Sequence, residues 1–530
     1  MTARRVYIST TIPYVNARPH LGFALELVQA DVLARHARLA GHQVRLQTGT
    51  DDNSLKNVLA ARAAGISPAE LTARNAAAFA ALREPLALSA DDFIRTGTDP
   101  RHRPGAERLW QACAARGDLY RRPYEGLYCT GCEQFYEPAE LPRGRCPEHG
   151  TPPEQVREQN WFFRLSRYGP ALTALVSSGQ LRIEPAAKRR EVLGFLRQGL
   201  ADISVSRPAA RARGWGIGVP GDPGQVIYVW FDALANYISA LGYGTGGADY
   251  RAWWTGADQR LHLLGKGVLK FHAVYWPAFL LSAGEPLPTA LWVHDYLTAG
   301  GSKISKSAAP DPAGTDPAVL AARFGTDAVR WWLLREVPRT GDADFSPGRL
   351  AARADEELAG GAANLVSRVV ALVHRYRDGA VPAAAVTLSG LADTTRCTTG
   401  APGRGEDPAA ALGRACAGAP AAIAAALADF DFRAATEAAL RIVTEGNRYL
   451  EAQRPWERAR AERNGEPGQQ VSVVLATAVA ACRTLGAELR PFLPGLAERI
   501  LAACGDPAGT LPPRQPLFPR LRPAAASVRG

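Results

Sequence analysis

Residues 6–31 constrain the fold of this chain most, because they combine a short strand, a tight turn and a helix. Residues 6–11 are rich in β-branched side chains and end before Pro13, as expected of a buried strand. An apolar-periodic helix is predicted to begin near Leu21 and Gly22. In this geometry, the backbone N–H groups and the positive end of the helix dipole point toward a site where a phosphate can bind. His20 lies in the turn as a donor to that phosphate, and Gly22 lets a nucleotide approach the backbone.

A second string, Lys303-Ile304-Ser305-Lys306-Ser307, follows a pair of glycines far downstream. Short His-Leu-Gly strings occur by chance, so the turn at His20 alone is weak evidence for a phosphate site. The lysine string strengthens that evidence. Two lysines three residues apart in a loop can neutralise a triphosphate from the side opposite the helix N-terminus. The two strings together predict a site for a nucleoside triphosphate.

A second strand is predicted at residues 43–49, and it ends in a polar run that contains Asp51 and Asp52. Carboxylates at the carboxyl end of a parallel strand lie where doubly wound sheets bind ligands. Either aspartate could also simply cap the helix that follows, and the two interpretations can hold at once.

Four residues, Cys129, Cys132, Cys146 and His149, form the pattern C-x₂-C-x₁₃-C-x₂-H. Two closely spaced ligand pairs on knuckle turns suit tetrahedral zinc, and the other cysteines are scattered rather than arranged as a disulfide framework. The pattern predicts a closed, structural zinc site; a chance cluster is the alternative.

Composition indicates a multidomain soluble protein. The chain has 530 residues, 47% of them hydrophobic and 21% charged, and its apolar segments are interrupted by charge or proline. We therefore expect no membrane span, no signal peptide and a cytoplasmic location. The net charge of +11 suits a polyanionic partner such as RNA. An Arg-, Ala-, Gly- and Pro-rich composition from GC-rich coding explains the charge equally well.

The strings at His20 and Lys303 resemble the HIGH and KMSKS motifs of class I aminoacyl-tRNA synthetases, and over most of the chain the sequence is similar to the methionyl-tRNA synthetase family. The resemblance implies an α/β fold with a Rossmann-type doubly wound parallel sheet, an inserted zinc-knuckle domain and a C-terminal α-helical bundle that binds the anticodon. The implied boundaries are 1–118 and 214–294 for the two halves of the catalytic fold, 119–213 for the insert, 295–352 for the lysine-loop connecting domain, and 353–530 for the helical domain, with a flexible insertion at 381–418.

The resemblance also implies roles for individual residues. The catalytic residues would be His20, Asp51, Arg207, Lys303 and Lys306. ATP would be bound by Asn16, His20, Gly22, Ser305 and Lys306. The methionine pocket would be lined by Ile12, Tyr14, Asp51, Trp230, Ala233, Tyr237, Val268 and His272, and the anticodon read by Asn364, Arg368 and Trp456. Without the resemblance, the apolar pocket residues would be assigned to the hydrophobic core and Arg207 to the solvent-exposed surface. Asn364, Arg368 and Trp456 would be assigned to packing between helices.

The sequence departs from the family's motifs at three places. The second histidine of the first motif is replaced by Phe23, the Asp-Glu-His-Gly region reads Asp-Asp-Asn-Ser with Asn53 and Ser54, and Gly-Lys-Asp ends in Gly267. Phe23 cannot donate a hydrogen bond, and the loss of one preorganised donor typically costs about 3–4 kcal/mol in the transition state. Gly267 lacks a carboxylate that would help to hold ribose or ammonium.

Three hypotheses follow. The first is a methionine–tRNA ligase with a divergent site, which uses ATP with Mg²⁺, methionine and initiator and elongator tRNA(Met), holds structural zinc and acts as a monomer. The second is a paralogue that activates another amino acid or passes the acyl group to a small amine, motivated by Phe23, Asn53, Ser54 and Gly267. The third is a non-catalytic tRNA-binding protein, which the intact lysine string argues against.

Overall fold

A six-stranded parallel sheet forms the centre of the first part of the chain. The computed structural model describes residues 3–130, 134–148, 150–304, 313–382, 407–465, 469–505 and 509–521. The strands are β1 Arg5–Thr10, β2 Gln43–Thr50, β3 Asp92–Arg95, β7 Arg182–Glu184, β12 Gln259–Gly265 and β13 Ala290–His294. Their order in the sheet is β3-β2-β1-β12-β13-β7, and all neighbours are parallel. The α/β fold with a parallel sheet is thereby confirmed.

The strand order reverses between β1 and β12. From β1 the chain proceeds outward to β2 and β3, whereas β12 leads to β13 on the other side. The crevice outside the carboxyl ends of strands at such a switch point is where open α/β sheets bind ligands. The residues that follow β1, β2, β12 and β13 therefore define the candidate site.

The predicted strand–turn–helix agrees closely with the structure. Strand β1 is buried from its second residue to its last, because helices cover both faces of the sheet. Helix α1 begins at Leu21, and nearly every side chain in its first fourteen residues is buried. The helices of this part of the chain are α1 Leu21–Leu39, α2 Leu55–Ala63, α3 Pro68–Ala80, α4 His102–Ala115, α5 Gly169–Ser178, α6 Ala186–Arg197, α7 Val229–Leu234, α8 Asn236–Ser239, α9 Ala248–Tyr250 and α10 Trp276–Ala283, with π-helical turns at Arg251–Thr255 and Phe271–Tyr275.

Two small sheets interrupt the parallel one. An antiparallel sheet of order β5-β4-β6-β8 and a second of order β10-β11-β9 lie in the middle of the chain. Strand β7 lies within the stretch 119–213 predicted as an insert, yet it pairs with β13 in the main sheet. The remaining strands here are β4 Leu119–Cys129, β5 Gln134–Tyr136, β6 Glu154–Phe163, β8 Ile203–Ser204, β9 Ser206–Pro208, β10 Gly218–Val219 and β11 Asp222–Ile227.

Residues 227–233 form an apolar run whose sequence alone predicts a strand, and that prediction is wrong. Strand β11 ends at Ile227, and α7 begins two residues later at Val229. The N–H groups of Phe231 and Asp232 both donate to the carbonyl of Tyr228, which starts the helical turn. A short apolar run does not distinguish a buried strand from a buried helix.

The chain divides into two compact units: Met1–Glu84, Leu88–Tyr296 and Ile304–Asp316 form one, and Pro85–Ala87, Leu297–Lys303 and Pro317–Gly530 the other. The second unit is mainly helical, as predicted, with a small sheet of order β15-β14-β16. Its elements are β14 Leu297–Ala299, β15 Ser302–Lys303, β16 Ala343–Asp344, α11 Pro317–Phe324, α12 Thr326–Arg335, α13 Pro347–Ala354, α14 Asn364–Arg377, α15 Pro408–Ala428, α16 Phe432–Gln453, α17 Pro455–Arg463, α18 Gln469–Leu489 and α19 Pro494–Cys504, with a π-helical stretch at Asp355–Ala363.

The flexible insertion predicted at 381–418 extends too far. Residues 383–406 lie outside the described residues, but 408–418 form the first half of α15. Pro408 occupies the first helical position, and the Asp407 carboxylate accepts a hydrogen bond from the N–H of Ala409 at 3.2 Å. This cap explains why an Ala- and Gly-rich segment is helical there.

Among the described residues, α15 and residues 470–489 of α18 are long and apolar enough to cross a membrane by length and composition alone. Within the helical unit, 44% and 56% of their apolar windows are buried. Core helices of soluble proteins pass the same test, so this is weak evidence for a membrane span.

Candidate active site

His20 caps the first helix and is oriented by it. The N–H of Gly22 donates to His20 Nδ1 at 3.1 Å, and the His20 carbonyl accepts from the N–H of Phe23 at 3.0 Å. Because Nδ1 accepts, the neutral ring carries its proton on Nε2, which is then a donor. A Cβ atom at position 22 would lie 3.0 Å from His20 Cε1 and Nδ1. Gly22 therefore makes room for the His20 ring, and its role in the approach of a nucleotide stays a prediction.

Asp51 lies directly after β2 and beside the turn that follows β1. Its N–H donates to the carbonyl of Pro13 at 3.0 Å, and Tyr14 and Asp51 form an isolated parallel bridge. The Asp51 side chain is buried, and its Oδ1 accepts from the N–H of Asn53 at 2.9 Å. Helix α2 is capped by Ser54, whose hydroxyl accepts from a backbone N–H at 3.0 Å. The alternative in which an aspartate caps this helix is therefore wrong.

Aromatic rings lie next to Asp51. The ring of Tyr14 lies 6.2 Å from that of Trp230, and Trp230 stacks on Phe271 with centroids 3.6 Å apart and planes 6° apart. The buried Trp230 Nε1 has no hydrogen-bond partner among the described residues. Phe271 was not predicted as a site residue, because one more apolar residue beside His272 carries no distinguishing signal.

His272 contributes a neutral ring to the same region. Its Nδ1 donates to the carbonyl of Val268 at 2.9 Å, and its Nε2 accepts from the hydroxyl of Tyr237 at 2.7 Å. Burial lowers the pKa of His272 to about 4, so the imidazole is uncharged at neutral pH. Burial also holds the pKa of the adjacent His262 well below its ordinary value. The structure thus brings together Tyr14, Trp230, Tyr237, Val268 and a neutral His272, with Ala233 buried in α7 and Ile12 and Asn16 half-buried after β1.

Asn53, one of the departures from the family motif, belongs to a buried network that the sequence did not reveal. Its Nδ2 donates to Asp232 Oδ2 at 2.7 Å, and His102 Nε2 donates to Asp232 Oδ1 at 2.6 Å. His102 Nδ1 lies 2.8 Å from the hydroxyl of Ser239. The network ties α4, α7 and α8 to the loop that carries Asp51. The one sequence feature that could have indicated this network is Asp232, a single aspartate within an apolar run.

Phe23, the second departure, faces the core. Its ring packs edge-to-face on Phe79 with centroids 5.1 Å apart, and only 6% of the residue is exposed. Both rings line a cavity of about 210 Å³, together with Leu27, Thr48, Ala80, Arg83, Leu88, Ala90, Asp91, Asp92 and Phe93. The Phe23 side chain thus packs between α1 and α3.

Arg207 lies in an aromatic box, so its interpretation as a surface arginine is wrong. Its guanidinium carbon lies 4.1 Å from the ring centre of Tyr128, 4.7 Å from that of Tyr228 and 5.6 Å from that of Phe135. The residue is only 5% exposed. Tyr228 immediately precedes α7, which carries Trp230, so the Arg207 cation lies beside the segment that leads into the aromatic pocket.

The lysine string begins in the hairpin of β14 and β15. Lys303 pairs with Thr298 along this hairpin, whereas Ser305 and Lys306 lie outside the described residues. Asp344 holds the turn, because its Oδ1 accepts from the N–H of Gly301 at 3.0 Å and from Thr298 Oγ1 at 2.7 Å. These hydrogen bonds keep the pKa of Asp344 below its ordinary value.

The zinc pattern is described only in part. Cys129 and Cys146 are buried together with Tyr136 and Leu141 in a small cluster, whereas Cys132 and His149 lie outside the described residues. In the part of the chain that the structure describes, no group of three or more His, Cys, Asp or Glu residues is placed to hold a metal ion.

The anticodon candidates lie in the helical unit. Asn364 begins α14 and is exposed, and Trp456, the second residue of α17, is 39% exposed. Arg368 is half-buried, and its Nη1 donates to Asn447 Oδ1 at 2.9 Å. This hydrogen bond joins α14 to α16, which carries Asn447.

A parallel sheet with a histidine-capped helix after β1, a carboxylate after β2 and a lysine hairpin downstream is the architecture of a class I tRNA synthetase. The family described as tRNA synthetases class I (M) matches residues 6–153 and 136–370. The chain belongs to this family.

Proteins similar to this chain include methionine–tRNA ligases. A methionine–tRNA ligase of Brucella suis is 38% identical over 98% of both chains, and one of Mycobacterium bovis is 36% identical over 98% of both. The solved structure of Mycobacterium tuberculosis methionyl-tRNA synthetase in complex with methionyl-adenylate has a TM-score of 0.87 and 35% identity, and covers 98% of this chain and 100% of that one. The apo form of the same enzyme gives a TM-score of 0.82 at 33% identity, with 99% of each chain covered.

Proposed function

We propose that this protein is a methionine–tRNA ligase, which activates methionine with ATP and transfers the methionyl group to tRNA(Met). The observation that carries the proposal is the aromatic pocket of Tyr14, Trp230, Tyr237 and the neutral His272 beside the buried Asp51. Sulfur–aromatic contacts favour a thioether in such surroundings. The names of the relatives support the same substrate.

In the first step, a carboxylate oxygen of methionine attacks the α-phosphorus of ATP. The new O–P bond forms as the bond to the β-phosphate oxygen breaks, which yields methionyl-adenylate and pyrophosphate. Asp51 accepts from the substrate ammonium, while His20 Nε2 and the N-terminus of α1 donate to the phosphate oxygens, where charge develops. We assign Asn16, Gly22 and Ser305 to ATP binding, and Lys303 and Lys306 to neutralising the triphosphate.

Magnesium bound with ATP supplies further charge compensation on the phosphates.

Arg207 lies in its aromatic box near α7 and is assigned to positioning the substrate. In the second step, a terminal ribose hydroxyl of the tRNA attacks the methionyl carbonyl carbon, and AMP leaves.

We further propose that Cys129, Cys132, Cys146 and His149 hold one structural zinc ion. Two of the thiols, those of Cys129 and Cys146, are buried in one four-residue cluster that is too small to stabilise the knuckle alone. Thiolates and imidazole are the donors that zinc prefers, and no ligand position would remain open for catalysis.

The exposed Asn364 and Trp456, with Arg368 nearby, are assigned to reading the anticodon of initiator and elongator tRNA(Met). Trp456 can stack on an unpaired base, and the polar side chains can hydrogen-bond to base edges. A cytoplasmic location and a monomeric state complete the proposal.

The deciding experiment is ATP–pyrophosphate exchange with purified protein across all amino acids, with and without tRNA. We expect exchange with methionine alone, followed by charging of tRNA(Met). Exchange with a different amino acid, or with none, would reject the proposal. Lys306→Ala should abolish most exchange while tRNA affinity stays nearly unchanged, and unaltered exchange in that variant would remove Lys306 from the site.

A further inference from the structure

Gly267 and Tyr296 lie just after the carboxyl ends of β12 and β13. The Tyr296 hydroxyl fills the space that a side chain at position 267 would need. A Cβ atom built at position 267 would lie 2.1 Å from Tyr296 Oη, far inside van der Waals contact. The next atom, Tyr296 Cζ, would lie 3.4 Å from that Cβ. The tyrosine hydroxyl therefore occupies the space in which any side chain at position 267 would begin. A side chain at position 267 would therefore require the Tyr296 side chain to move.

A carboxylate stands beside this pair. Asp295 follows directly after β13, whose last residue, His294, is in register with Gly265 at the end of β12. Asp295 Oδ1 lies 3.2 Å from the Lys188 ammonium and 3.7 Å from that of Lys266, and 11% of its side chain is exposed. Two cations from different elements thus fix the position of one carboxylate at the edge of the crevice.

The order of the functional groups along the carboxyl edge of the sheet indicates which part of the substrate Asp295 contacts. Asp51 follows β2 and His20 follows the turn after β1, whereas Gly267 and Asp295 follow β12 and β13, on the other side of the switch point. With the α-phosphate held near His20, the ribose of ATP lies one phosphoester away. A carboxylate at a strand end is the group that hydrogen-bonds ribose hydroxyls in doubly wound sheets.

We infer that Asp295 accepts hydrogen bonds from the ribose hydroxyls of ATP, and so supplies from β13 the carboxylate that Gly267 lacks at β12. The inference rests on the proposed function, in which the substrate is ATP. In this arrangement Lys188 and Lys266 position Asp295, and Tyr296 fills the space left at position 267.

The test is calorimetric binding of ATP, 2′-deoxy-ATP and 3′-deoxy-ATP to the full chain and to Asp295→Asn. The full chain should bind at least one deoxy analogue about tenfold more weakly than ATP, since a hydrogen bond to a charged acceptor is lost. Asp295→Asn should bind ATP about as weakly as that analogue and no longer distinguish the two. Asp249→Asn is the matched control, because Asp249 is also ion-paired, with Arg45 Nη1 at 2.9 Å, and its variant should keep the discrimination.

An unchanged ratio of ATP to deoxy-ATP affinity in Asp295→Asn would overturn the inference and leave Asp295 a structural ion-pair partner. Equal affinities for all three nucleotides in the unmodified chain would overturn it too. These measurements need no methionine. Absence of methionine-dependent exchange would therefore reject the proposed function, while the binding comparison still decides the role of Asp295.

Moving the carboxylate back provides a second test. In the Asp295→Asn background, Gly267→Asp combined with Tyr296→Phe removes the hydroxyl that blocks position 267. This triple variant should regain discrimination between ATP and the deoxy analogue. Gly267→Asp without Tyr296→Phe should not, because the hydroxyl remains in place. Failure of the triple variant to regain any discrimination would contradict the equivalence of the two positions.

Discussion

The N–H of Gly22 donates to Nδ1 of His20, and the same glycine leaves the space that the His20 ring fills. One residue thus both orients the ring and makes room for it. Because Nδ1 is used internally, Nε2 is the nitrogen through which the neutral ring would donate to a substrate.

Gly22→Ala should therefore impair adenylate formation. The new Cβ atom would lie 3.0 Å from two ring atoms, so the imidazole must shift by a few tenths of an ångström. We expect kcat for methionine-dependent exchange to fall roughly tenfold, because small misplacements of catalytic groups are costly. Gly348→Ala is the control: Gly348 also occupies the second position of a helix, α13, but its Cβ would meet nothing within 4 Å. Exchange at the wild-type rate in Gly22→Ala would show that the orientation of His20 does not matter.

Trp230→Leu should weaken methionine binding specifically. The substitution removes the ring that stacks on Phe271 and faces Tyr14, and such aromatic contacts are each worth about 0.5–1.5 kcal/mol. We expect the KM for methionine to rise roughly tenfold while the KM for ATP is unchanged. Trp253→Leu, at a half-buried tryptophan that packs against the same core, should leave both constants unaltered. A parallel rise in both KM values would identify Trp230 as a packing residue.

Trp456→Ala should separate the two half-reactions. The residue is 39% exposed in the helical unit, and stacking of a base on an aromatic ring is worth about 1–3 kcal/mol. Charging of tRNA(Met) should weaken at least several-fold, while exchange in the absence of tRNA continues unchanged. Val319→Ala, at another exposed apolar residue of this unit, should affect neither reaction. Equal loss of exchange and charging would argue for a structural role.

Cys146→Ser should release zinc. A serine hydroxyl is a poor zinc ligand, so we expect metal content to fall from about one ion per chain to nearly none. Cys416→Ser alters a buried thiol in α15 and should retain the metal. Undiminished zinc in Cys146→Ser would refute the knuckle.

The sequence predicted the parts of this fold in which local and tertiary signals agree. The strand before Pro13 and the helix beginning at Leu21 were found because buried parallel strands and helix starts leave local patterns. Residues 227–233 were misassigned because an apolar run carries no period, and α15 was missed at its start because its alanines resemble a linker.

In the site, the sequence located residues in matching motifs but not the contacts that give them their roles. Asn53, Asp232 and His102 meet only in the folded chain, across more than a hundred residues. The blocking of position 267 by Tyr296 likewise leaves no local pattern. The three departures from the family motifs could be found by comparison alone, but their physical reasons required the fold.

The buried, neutral His272 predicts how stability depends on pH. Its pKa is lowered by burial to about 4, against an ordinary value of 6.5. Between these values the unfolded chain binds more protons than the native one, so the free energy of unfolding falls as the pH is lowered. From pH 7 to pH 5 this one group should cost about 2 kcal/mol, and the lowered pKa of His262 adds a loss of the same sign. Urea unfolding at both pH values should therefore show a smaller pH-dependent loss in His272→Gln, by about 2 kcal/mol, because carboxylates common to both proteins cancel. Equal losses in the two proteins would mean that His272 is not neutralised by burial.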